Sequence, residues 1–155
     1  MKFLHLGIVV LAAALAFPAF AQTSTDMQIL AQKIKADKKL VVATNMQLSE
    51  AEAKGFWPVY DAYQKDLEAL NKRMVVAIVA FADASKKGNV PNDVAKQILD
   101  ESIAIDEDEL KMKRAAVAKL DKVLPGAKIA RYVQIENKIR ALVRIELAEN
   151  IPLVK

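Results

Sequence analysis

Four consecutive carboxylates, Asp106-Glu107-Asp108-Glu109 in "SIAIDEDELKMKRAA", are the densest run of chemically capable groups in the chain. Converging oxygens from such a run could hold a divalent cation. On a helix, however, successive residues turn by about 100°, so the four point around the axis rather than at one ion. A calcium loop would alternate its oxygen donors and turn on a glycine, and this segment does neither. The run reads instead as a solvated acidic face that pairs with Lys111, Lys113 and Arg114. No metal site is expected.

The residues that are absent narrow the chemistry further. The chain of 155 residues has one histidine, His5, and no cysteine. His5 falls in a leader that is expected to be removed, so the remaining chain lacks the usual zinc and copper ligands, both nucleophile–histidine pairs and histidine ligation of haem. It also lacks the Glu-x-x-His pair of di-iron bundles. The 4 glycines do not cluster, so no phosphate loop is present. The expectation is a protein that is not an enzyme, with no catalytic residues and no cofactor.

Two groups of residues remain that could contact a partner. Arg131, Lys138, Arg140 and Arg144 give the last helical segment a basic side. They serve solubility and ion pairs to a neighbouring helix, or they rim a surface that attracts acidic chains. Phe56, Tyr60 and Tyr63 recur at helical spacing, with Trp57 one position off that seam and Tyr132 on the last helical segment; aromatics so spaced are core packing by default and a binding patch otherwise. Phe56, Trp57, Tyr60, Tyr63, Arg131, Tyr132 and Arg140 are therefore the candidates for contact with a client or partner polypeptide.

The N-terminus suggests where this happens. "MKFLHLGIVVLAAALAFPAFA", residues 1–21, has a basic start, an apolar run, Pro18 and small residues at Ala19 and Ala21, the pattern of a cleaved secretory signal. Its apolar run of about twelve residues is short of the roughly 20 that span a bilayer. The expectation is a periplasmic protein consisting of one helical domain, residues 22–155, without stable membrane insertion. The absence of cysteine in an oxidising compartment means that packing alone must stabilise the fold. A formal charge of +4, spread along the chain, gives no dense patch for nucleic acid.

Periodicity predicts about four helices arranged as an elongated antiparallel hairpin or bundle. Met27, Leu30, Ile34 and Val41 share a face of the first helix, which ends near Thr44 and is capped by Ser24 or Thr25. Ser49 and Glu52 form a capping box for a second helix, on which Phe56, Tyr60, Tyr63, Leu67, Leu70, Met74 and Ile78 make a seam as far as "SKKG". Pro58 interrupts this helix near its start. The expectation is that it kinks one long helix, with Gly55 easing the bend; the alternative is that a short helix stops and a new one begins. A third helix runs from about Pro91 to Val123 with two apolar stripes: Leu99, Ile103, Leu110, Val117, Leu120 and Leu124, and beside it Ile98, Ile105 and Met112. Pro125 is placed in the first turn of the fourth, which Pro152 ends. So thin a shape leaves apolar surface for a second copy to cover, so a homodimer is expected.

With "MQLSEAEAKGFWPVYDAYQKDL" after its first helix, the chain resembles the Spy/CpxP-like, or LTxxQ, periplasmic proteins. Where that family has Leu-Thr-x-x-Gln, this chain has Leu48-Ser49-Glu50-Ala51-Glu52, and of a second motif at "VLPGAKIARY" only Leu124 and the helix start remain. It is also similar, through "FWPVYDAYQ" and "ARYVQIENKI", to a group of exported bacterial proteins of unassigned function. The first resemblance implies a curved helical dimer, acting as an ATP-independent chaperone or in envelope stress signalling. Unfolded or partner proteins of the envelope would be its ligands; the alternative is an adaptor docking one specific envelope protein.

Overall fold

The computed structural model describes residues 37–154. Among them the chain is an all-α bundle of four helices without a strand. Residues 37–46 are the described part of α1; α2 is Glu50–Ser85, α3 is Asn92–Leu120 and α4 is Gly126–Asn150. The leader, the caps at Ser24 or Thr25, and Met27, Leu30 and Ile34 lie outside the described residues.

Each helix boundary has a local cause. At the start of α2, the Glu52 amide donates to Ser49 Oγ (3.4 Å) and the Ser49 amide donates to Glu52 Oε2 (2.8 Å), completing the expected capping box. After α2, Gly88 has φ +110°, which a side chain rarely adopts, with open space around it; conformation rather than room requires glycine there. Pro125 differs from expectation, being the N-cap of α4 and not a residue of its first turn. Its backbone is extended (φ −62°, ψ 145°), and its carbonyl accepts from the amides of Lys128 (2.9 Å) and Ile129 (3.2 Å).

Pro58 does not end a helix, since α2 runs unbroken for 36 residues, about 54 Å at ~1.5 Å per residue. The amide missing at Pro58 leaves the Lys54 carbonyl without its helical donor. Both residues are exposed, so that carbonyl is open to solvent, where the loss costs least. Gly55 has a different task from the one expected. A Cβ there would come within 2.8 Å of Val123 Cβ, so its missing side chain is what lets the α3–α4 turn lie against α2.

Side-chain pairs give the arrangement. α3 returns antiparallel to α2, with Arg73 bonded to Glu101 and Asp108. α4 runs antiparallel to α3, through Glu109–Arg140 and Asp106–Arg144, and so parallel to α2. α1 lies antiparallel to α2, through Lys39–Asp61 and Lys38–Gln64. The seam of α2, Phe56, Tyr60, Tyr63, Leu67 and Leu70, is buried against Val42 and Met46, against Ile105, Ala116 and Leu120, and against Ile129, Tyr132 and Ile139. Of the two stripes on α3, Ile105 and Met112 turn inward, whereas Leu99, Ile103 and Leu110 are exposed.

Candidate functional site

The acidic run does point around α3, as expected from a helix, but its principal partners lie on other helices. Asp106 accepts from Arg144 (2.7 Å), Asp108 from Arg73 (2.8 Å) and Lys111 (3.2 Å), and Glu109 from Arg140. Hydrogen bonds from Arg73 and then Lys111 hold the Asp108 carboxyl below its ordinary range. Carboxylates so dispersed leave no group of three or more acidic, histidine or cysteine side chains that could hold a metal ion among the described residues.

Arg140 and Glu109 are both buried. Arg140 donates through Nε (3.0 Å) and Nη2 to the two Glu109 oxygens and through Nη1 to Asn71 Oδ1 (3.0 Å), joining α2, α3 and α4. Burial alone would raise the Glu109 pKa. The Arg140 hydrogen bonds and the nearby Lys113 and Arg144 outweigh it, and the net shift is downward. One level nearer the start of α4, buried Glu136 accepts from Lys38 Nζ (2.9 Å) and Gln64 Nε2 (3.0 Å), and Lys38 also donates to Gln64 (2.8 Å). The charged members of both clusters are paired within them, whereas the buried hydroxyls of Tyr63 and Tyr132 in the same core have no hydrogen-bond partner.

The seven candidates for partner contact do not form a surface. Phe56, Tyr60, Tyr63 and Tyr132 are buried, packed mostly edge to face, with centroids 5.1 Å apart for Phe56–Tyr132 and 6.4 Å for Tyr63–Tyr132. Trp57 is half-buried, 4.9 Å from Phe56 and 5.3 Å from Tyr60, with Lys39 Nζ 5.1 Å from its ring centre. Arg140 is consumed by Glu109, and only Arg131 stands exposed. Of the two readings open for the aromatics the structure matches the core one, because the spacing of four and three on α2 defines the face packed against Val42 and Met46 of α1 and Tyr132 of α4. Buried Glu109 and Glu136 carried a signal that periodicity could have found. Glu109 lies between Ile105 and Met112, and Glu136 between Tyr132 and Ile139, each in an apolar seam.

An open apolar surface lies at the far end of the bundle instead. A cleft of about 540 Å³ separates the distal halves of α2, α3 and α4. Met74, Ile78 and Phe81 line it from α2, Ile98, Ser102 and Ile105 from α3, and Leu147 from α4, with Ile151 to Val154 along one edge. Asp106 and Arg144, bonded to each other, are its charged members. Along this cleft α4 has no buried residue beyond Arg140, although Arg144 still bonds Asp106 of α3 there. No helix among the described residues is long and apolar enough to cross a membrane.

Comparison with protein-family models, with curated proteins and with solved structures gave no match. The likeness to the LTxxQ proteins therefore rests on the short segments quoted above.

Proposed function

We propose that the protein binds apolar polypeptide segments in the distal cleft, as an ATP-independent, chaperone-like protein of the periplasm. The observation that supports this is the cleft itself: apolar side chains from three helices, open to solvent, with one ion pair at its edge. Such a lining desolvates an aliphatic or aromatic side chain, a gain of about 1.5–3 kcal/mol for each one fully buried, without selecting a sequence. The leader-like N-terminus supports the compartment, and the missing phosphate loop supports independence from nucleotide.

Suppression of aggregation of a chemically unfolded client tests the reading. Wild-type protein at stoichiometric amounts is expected to suppress light scattering. Ser102→Trp, which puts an indole into the cleft from an exposed position, is expected to lose most of that effect while keeping its helical circular dichroism. No suppression and no client binding by the wild type would refute the proposal. Capture from a periplasmic extract separates a chaperone, which brings down many species, from an adaptor, which brings down one.

A further inference from the structure

We infer that the distal cleft takes its polypeptide in extended form, paired as an added strand with the chain's own residues 151–154. This rests on the cleft reading above and specifies the ligand. The interior turns of α2, α3 and α4 offer the cleft only side chains, because their backbone groups are bonded along each helix. The edge of the cleft is different. Pro152 disfavours helical backbone at the residue before it, and Ile151 is extended (φ −101°, ψ 114°). The Ile151 amide donates to the Leu147 carbonyl (2.9 Å), the last bond of α4. Pro152, Leu153 and Val154 make no hydrogen bond or ion pair among the described residues. Leu153 and Val154 border the cleft yet are 89% and 59% exposed.

An extended backbone with unused donors and acceptors beside an apolar groove is a template on which a second strand adds. Its two unused donors are the Leu153 and Val154 amides, since Pro152 has none and that of Ile151 is taken. The lengths agree. Residues 151–154 span about 10 Å at ~3.3 Å per residue, and Met74 to Phe81 on the α2 wall rise about 10 Å at ~1.5 Å per residue. About four ligand residues therefore lie in the cleft, with alternate side chains turned to Ile78, Phe81 and Ile98 and the others to solvent. The ligand is a strand-like segment of an unfolded chain, apolar at every second residue. A helical segment is a poorer ligand, because its backbone is already paired and leaves residues 151–154 nothing to bond.

Fluorescence anisotropy of a fluorescein-labelled peptide with leucine and serine in alternation tests the pairing. The full chain is expected to bind it. Of two forms N-methylated at the leucines or at the serines, one is expected to bind about tenfold more weakly and the other unchanged, since the amides of a strand alternate between its edges. Leu153→Pro with Val154→Pro removes both donors and is expected to weaken the unmodified peptide by about tenfold, against about threefold or less for Leu153→Ala with Val154→Ala. Both positions lie beyond the last bond of α4, so helical circular dichroism is expected to stay the same. Equal affinity for all three peptides, or equal losses from the proline and alanine pairs, would overturn the inference while leaving the cleft reading in place. Binding that survives Ser102→Trp, or no binding at all, would overturn both.

Discussion

Glu109 and Arg140 are the residues whose environment departs most from what a charged side chain tolerates alone. Both are withdrawn from water on a bundle interface, and each satisfies the other. Arg140→Met would leave the Glu109 carboxylate with only the more distant Lys113 and Arg144, and should cost about 3–5 kcal/mol, the usual penalty for breaking a buried pair. Adding Glu109→Leu should recover most of it, because an apolar pair needs no such compensation; urea denaturation of the two variants measures both effects. The exposed end of the bundle gives a pH signature. Lys128 donates to Glu52, as does the Ser49 amide, and together they lower the Glu52 pKa from 4.5 to about 2. A depressed folded pKa means that the unfolded chain takes up the proton first. Its stabilisation is therefore complete above about pH 4.5 and is lost as pH falls towards 2. Lys128→Met should flatten the fall of thermal midpoint across that interval; an unchanged slope would show that Glu52 is not coupled to folding.

The fragility of α2 lies where Gly55 and Pro58 sit close together for unrelated reasons. Pro58→Ala returns an amide to the Lys54 carbonyl and relieves a ring clash, and should stabilise the protein by about 1–3 kcal/mol. Gly55→Ala drives a methyl into Val123 and should destabilise it by about 1–3 kcal/mol. Thermal melts with opposite shifts would separate two residues that look in sequence like one helix break. Much at this scale was legible in advance. The Ser49–Glu52 cap and the α2 seam follow from local rules that read the same in sequence and in space. What was not legible depends on which neighbour a face meets. Two stripes on α3 were equally apolar, and only packing against α2 and α4 made Ile105 core and Leu99 surface. For the aromatics and Arg140 the sequence left core or ion pair and binding surface both open for the same reason: a residue type announces its chemistry but not its burial.

For the whole molecule, the consequence is a division between two ends. From the α1–α2 turn to the level of Asn71, the helices close around the aromatics, the Lys38–Gln64–Glu136 cluster and, at the far limit, the Glu109–Arg140 pair. Beyond Arg140 no residue of α4 is buried, and apolar side chains from three helices line an open cleft. Hydrogen exchange with and without an unfolded client measures this division most directly. Bound client should slow exchange in 74–81, 98–105 and 147–153, leaving 53–63 and 128–136 unchanged. Protection confined to the aromatic end, with the distal segments untouched, would contradict it.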